Sequence, residues 1–183
     1  MKKLLSSFAL LILPLGIFAQ QVPAKDKQVI DSYVRSITYT ITEMVPMASV
    51  NKVFTGNFYN VKPGFTLKSG SMTCSEFHYN LRDGNLVELE ELDQDKPLTV
   101  LPTLLQKSFL LNNATAAGIF ETAINALYPV SDSDKGDLKR LKKGNQWIFI
   151  RGKFFEKFKA MIVTVDTKGM INSMEYSLDY ENK

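Results

Sequence analysis

The stretch Asn145–Tyr180, NQWIFIRGKFFEKFKAMIVTVDTKGMINSMEYSLDY, decides how this chain folds. Met161, Val163 and Val165 alternate with Ile162 and Thr164, the period of two that a strand requires. Asp166-Thr167-Lys168-Gly169 then places Asp first and Gly last, as a type I turn prefers. On the return, Met174, Tyr176, Leu178 and Tyr180 fall on one face and Ser173, Glu175, Ser177 and Asp179 on the other, with Asn172 the polar exception on the apolar side. This pattern predicts a hairpin with one dry and one wet face. Trp147-Ile148-Phe149-Ile150 is apolar without a break and predicts a strand covered on both faces.

A dry sheet face needs a cover, and the segments upstream offer helices. Ile119, Phe120, Ala123, Ile124, Leu127 and Tyr128 give a helical stripe over Thr115–Tyr128, stopped by Pro129. Ile30, Val34, Ile37, Ile41, Met44 and Val45 give a similar stripe, which predicts a helix capped by Asp26 and running to Val45, ahead of Pro46. Residues 37–42 also alternate and are β-branched, so a strand competes there. The helix is preferred because Ile37, Ile41, Met44, Val45 and Pro46 match Phe120, Ile124, Leu127, Tyr128 and Pro129 at one constant offset. Between these segments, an aromatic strand over Val53–Val61 precedes a hairpin turning at Asp83-Gly84, with Phe77, Tyr79 and Leu81 outward and Val87 and Leu89 on the return. A short helix is expected near Pro102, and a polar loop over Ser131–Gly144 with one helical turn near Leu138 and Leu141.

The fold class that follows is α+β: antiparallel sheet meanders covered by helices, arranged as two tandem degenerate helix-then-meander repeats over residues 20–95 and 96–183. The alternative is a chance likeness of pattern, since the loops between landmarks differ in length. Residues 1–19 read as a secretory signal peptide: Lys2 and Lys3, an apolar run from Leu4 to Leu15, and Ile17-Phe18-Ala19 before the cut. That implies a periplasmic or secreted protein with no transmembrane segment after cleavage. Taking Lys2 and Lys3 from the 22 basic residues leaves 20 against 19 acidic ones, too even a balance to argue for nucleic acid. Cys74 is the only cysteine, so no internal disulfide can form.

No motif specifies a reaction, and the chain is expected not to be an enzyme. His78 is the only histidine, which excludes a multi-histidine metal site, and no cofactor is implied. Asp132-Ser133-Asp134-Lys135-Gly136-Asp137 has a calcium-loop flavour, but Gly136 comes one place early and Lys143 stands where a bidentate Glu belongs. Lys139, Arg140, Lys142 and Lys143 form a basic cluster read as a solvated loop; Glu88, Glu90, Glu91, Asp93 and Asp95 form an acidic one, read as strand positions facing water. Asn113-Ala114-Thr115 fits a glycosylation sequon. The candidate binding residues are Trp147, Phe149, Arg151, Tyr176 and Tyr180, residue types favoured where partners meet, on strands with apolar groups on both sides. Core packing competes with that reading for the aromatic residues.

The helix end Ala126-Leu127-Tyr128-Pro129, Trp147 opening the meander, and Ile162-Val163-Thr164-Val165-Asp166-Thr167-Lys168-Gly169-Met170-Ile171 loosely resemble the PepSY-like and β-lactamase-inhibitor-like exported bacterial modules. The likeness covers about the last third of the chain. It implies helices before an antiparallel meander, tandem units, and a binding or inhibitory role, and it assigns no functional residue. The long loop before Trp147, the degenerate first half and the lack of disulfides depart from that pattern. The expected function is an exported non-enzymatic binding protein that meets a protein or cell-envelope component, with a homodimer among the candidates. The alternatives are a carrier of a small apolar or glycan-like ligand in an aromatic cleft and, more distantly, an enzyme with an unrecognised site.

Overall fold

The computed structural model describes residues 22–37, 39–67, 70–73, 77–82, 84–92 and 94–181, with backbone only for 65–67, 70–73, 77–79 and 154. The signal-peptide reading of 1–19, Cys74 and Asp93 lie outside the described residues. Among the described residues, two α-helices and two antiparallel sheets form an α+β fold. The first sheet contains β1 (Thr40–Pro46), β2 (Asn57–Leu67), β4 (Phe77–Arg82) and β5 (Asn85–Val87) in that order, with β3 (Gly70–Thr73) pairing the far end of β2. The second runs β6 (Lys96–Pro97), β10 (Ile171–Tyr180), β9 (Lys157–Val165), β8 (Gln146–Phe154) and β7 (Lys139–Lys143). Helix α1 (Ala24–Ser36) precedes the first sheet, and α2 (Ala114–Leu127) precedes the four consecutive strands β7 to β10.

Helix α1 is shorter than its stripe predicts. It stops at Ser36, and residues 40–46 form β1, so the strand wins at 40–42. The reason is local. Ile37, Thr40, Ile41 and Thr42 are β-branched, and the Thr40 and Thr42 hydroxyls donate to the Gly64 and Lys62 carbonyls of β2, at 3.0 and 2.6 Å. The Ser36 hydroxyl bonds the Tyr33 carbonyl at 2.6 Å, and the Tyr39 amide turns back to Val34 O at 3.1 Å. Asp26 does not cap α1; it sits in the first turn, and its Oδ2 accepts from Tyr59 Oη at 2.5 Å and Asn57 Nδ2 at 2.8 Å. Those bonds fasten α1 to β2, beside a small core of Ile30, Val34, Tyr59, Val61 and Leu81. Burial, with the Asp26 bond adding to it, pushes the Tyr59 phenol up.

The aromatic segment expected as a strand from Val53 begins instead with a 3-10 turn, Val50–Lys52, and reaches strand geometry at Asn57. Phe58, on the opposite face of β2 from Tyr59, enters the main core. Helix α2 matches its predicted span, although Ile119 of the predicted stripe is exposed. Asn113 Oδ1 caps it by accepting from the Ala116 amide at 2.9 Å, and Ala117, Phe120, Ala123, Ile124 and Leu127 are buried. Phe120 lies at the centre, with ring centroids 5.2 Å from Phe149, 6.2 Å from Phe109 and 6.2 Å from Phe54. The core thus joins the segment 50–58, the linker, α2 and the inner face of the second sheet.

The hairpin at the carboxyl side forms as read. Val163 pairs with Met174 and Met161 with Tyr176, while Met174 and Tyr176 are buried against α2's side of the sheet. Gly169 takes φ +90, and Asp166 Oδ1 accepts from the Lys168 and Met170 amides at 2.8 Å each. Two features differ. The β9–β10 register shifts between Ser177 and Tyr180, so Tyr180 turns to the outer face and packs with Ile148, Ile150 and Phe158, while Leu178 stays inside. The basic run 139–143 is strand β7 rather than a loop; Gly144 at φ +55 turns it onto β8. A sheet edge rich in lysine resists pairing with other chains.

Candidate functional site

The two halves meet along an open groove of about 700 Å³. Its walls are Tyr33 and Ile37 at the end of α1, the segment 86–92, and Leu127 and Tyr128 at the end of α2. Tyr33 is 45% exposed and Ile37 42%, so both present apolar surface to the groove. A smaller recess of about 240 Å³ adjoins the groove and shares Leu92 and Tyr128 with it. Arg151, Tyr176, Asp134 and Lys159 line that recess.

Arg151 is placed by a bulge. The β8–β9 register shifts between Ile150 and Lys153, and Gly152 takes φ +128. A Cβ on Gly152 would fall 2.3 Å from Asp134 Cγ, so only glycine lets the loop come that close. Arg151 is 5% exposed. Its Nη1 donates to Asn125 Oδ1 at 2.5 Å and its Nη2 to the Tyr128 carbonyl. Helix α2 has no basic residue in its last turn, so Arg151 supplies the cation that its C-terminus favours. Among the described residues no carboxylate lies within 4.0 Å of the guanidinium. Burial draws the Arg151 pKa down, opposed by Tyr176, Tyr128 and Glu121.

The neighbouring groups are themselves held. Lys159 Nζ lies 2.7 Å from Asp134 Oδ2, which also accepts from Ser131 Oγ at 2.9 Å. The bond from Lys159 chiefly keeps the Asp134 carboxyl below its usual range. Burial pushes the phenols of Tyr128 and Tyr176 up, and Arg151 opposes both. The Tyr128 hydroxyl is buried without a hydrogen-bond partner among the described residues.

Of the five residues expected to bind, Arg151 and Tyr176 meet in this recess, because β8 and β10 present them on the same face. Trp147 and Phe149 are in the main core; Trp147 Nε1 donates to the Leu111 carbonyl at 3.0 Å, and Lys142 Nζ lies 4.6 Å from the ring centre. Tyr180 is on the outer face. Tyr128, Asp134 and Lys159 are additions. One sequence signal marks the place, a lone glycine inside a strand at Gly152.

The acidic run is not a uniformly solvated face. Glu90 accepts from the backbone amides of Thr99, Val100 and Leu101, the last at 3.1 Å, and so ties down the start of the 3-10 turn Leu101–Leu104. Desolvation works to raise its pKa, yet the three amides outweigh it and the carboxyl is held low. Asp95 Oδ1 accepts from the Leu178 amide at 2.5 Å, whereas Glu88 and Glu91 are exposed at the groove. In the basic run, Arg140 pairs with Glu121 at 3.3 Å. Among the described residues no group of three His, Cys, Asp or Glu side chains is placed to hold a metal, and no helix is long and apolar enough to cross a membrane. No protein-family model, no curated protein and no solved structure matches the chain.

Proposed function

We propose that the chain is an exported, non-enzymatic binding protein that takes a protein or cell-envelope component into the groove between its halves. The observation carrying this reading is the groove itself: exposed Tyr33 and Ile37 face the extended segment 86–92 across an open channel. An open channel with an apolar floor and exposed Glu88 and Glu91 suits an extended polypeptide bearing apolar and basic side chains. The element order supports the tandem reading and the PepSY-like resemblance. In each half an α-helix precedes a run of paired strands, α1 before β1-β2-β4-β5 and α2 before β7-β8-β9-β10, with β3 and β6 outside the shared pattern.

The carrier reading keeps one observation in its favour, a volume within the range of small-molecule sites. A photo-crosslinking amino acid placed at position 37, with position 170 as an exposed control, separates the two in native envelope extract. The proposal expects a discrete protein adduct from position 37 alone. Equal labelling from both positions, or only a lipid or glycan adduct at position 37, would sink it.

A further inference from the structure

We infer that the recess beside the groove is a binding site for a single carboxylate group, with Arg151 as its principal donor. The inference does not depend on the groove reading. A guanidinium carries five N–H donors, and Arg151 uses one toward Asn125 Oδ1 and one toward the Tyr128 carbonyl. The others belong to a group only 5% exposed, beside a recess of about 240 Å³. The end of α2 offsets part of the positive charge, but a helix terminus carries only about half an elementary charge. A buried cation of this kind gains most from a planar, singly charged acceptor that meets its fork in two places.

The remaining walls favour a carboxylate over other anions. Tyr128 lines the recess, and its hydroxyl, buried without a partner among the described residues, gains one when an incoming carboxylate reaches it. Lys159 is already paired with Asp134 at 2.7 Å, so those two charges offset and Arg151 is the remaining charge among the residues lining the recess. A singly charged carboxylate balances that one cation, whereas a doubly charged anion such as phosphate would leave a negative charge unpaired in the recess. The occupant is either a free monocarboxylic acid or a carboxylate on a polypeptide, reaching in from the groove past the shared Tyr128 and Leu92.

The test is NMR of the arginine Nε–H resonances in the intact protein, titrated with acetate at constant ionic strength, with chloride, phosphate and neutral acetamide as comparisons. The site predicts a saturable shift of the Arg151 resonance with acetate alone. Affinity should fall at least about tenfold in Arg151→Gln, the loss expected for a charge-assisted hydrogen bond. Tyr128→Phe removes only the hydroxyl and should weaken acetate about threefold, roughly half that free energy; it decides the matter if Arg151→Gln does not fold. A pentapeptide with one Asp among apolar residues, compared with its Asn counterpart, distinguishes the sources. Tighter binding than acetate assigns a polypeptide carboxylate, and equal binding assigns a free acid. Ile37→Arg should weaken the peptide and leave acetate unchanged if the groove also takes part; if both are unchanged, the groove reading fails while the carboxylate site stands. A linear response to acetate, an equal response to phosphate, or undiminished acetate binding in Tyr128→Phe would overturn the inference.

Discussion

Replacing Phe120 by Ala tests whether the two halves share one core. Phe120 is fully buried, and its ring has neighbours from three separate parts of the chain: Phe54 from the first half, Phe109 from the linker and Phe149 from β8. Truncating a buried Phe to Ala costs about 3–5 kcal/mol, and the middle of that range, about 4 kcal/mol, is expected here. With a urea m-value of about 2 kcal/mol/M, the unfolding midpoint should fall by about 2 M. Trp147 is the only tryptophan, so its fluorescence reports the second sheet, and amide exchange of β2 reports the first. Both should lose the same stability, because the segment 50–58 and the second sheet lean on the same ring. Met170→Ala, at a side chain 50% exposed, is the control and should change stability by less than about 0.5 kcal/mol. If the Trp147 transition moved while β2 exchange stayed put, the shared core would be refuted.

Glu90→Gln should destabilise by about 1–2 kcal/mol at neutral pH, discounted for partial solvation, because three amides lose a charged acceptor. Glu90 is held low in the folded chain, so its contribution is present above the ordinary carboxylate range and fades as pH falls through the folded pKa. Urea midpoints of the two proteins should therefore converge in acid, and a constant gap would contradict the assignment. The phenols of Tyr59, Tyr128 and Tyr176 are raised, so each keeps its proton in the fold after the unfolded chain has lost it. Stability should hold below about pH 10 and fall above it by up to about 1.4 kcal/mol per pH unit per tyrosine; a flat profile to pH 11 counts against burial of all three. Asn80 is fully buried, and neither its Oδ1 nor its Nδ2 finds a partner among the described residues. Asn80→Leu should raise stability by about 1 kcal/mol in a melt, and a loss would show that the amide is satisfied after all.

Much of the architecture was legible because it rests on periodicity. The alternation of 161–165 and 174–178 is enforced by the α2 stripe packing on it, and each is visible without the other. The errors have three physical sources. At 37–42 the same residues satisfy a helical stripe and a strand, and the threonine hydroxyls bonding to β2 settle the matter only once β2 is present. At 139–143 a single leucine among basic residues carries no alternating signal, since an edge strand needs little apolar surface. Tyr180 follows the predicted period until a bulge shifts it by one position, and nothing in the side-chain pattern marks where a bulge falls. The recess was half visible for the same reason. Arg151 and Tyr176 stood out by residue type, but Asp134 reaches the site across a loop, through the gap that Gly152 leaves, and Lys159 follows it. Glu90 looked like one solvated carboxylate among several because its amide partners lie about ten residues farther along.

Among the described residues the short strand β6 pairs only with β10: Pro97 stands opposite Glu175, and the Leu98 amide donates to Met174 O at 2.9 Å. The middle of the polypeptide is therefore finished by residues made long after it. While a ribosome is still adding them, the Leu98 amide has no Met174 carbonyl to bond, and the early half waits with an unfinished seam. Closure over so long a stretch is slow. A chain built this way leaves part of its apolar middle without its final cover until β10 has been made, an interval in which such surface favours sticking to neighbours.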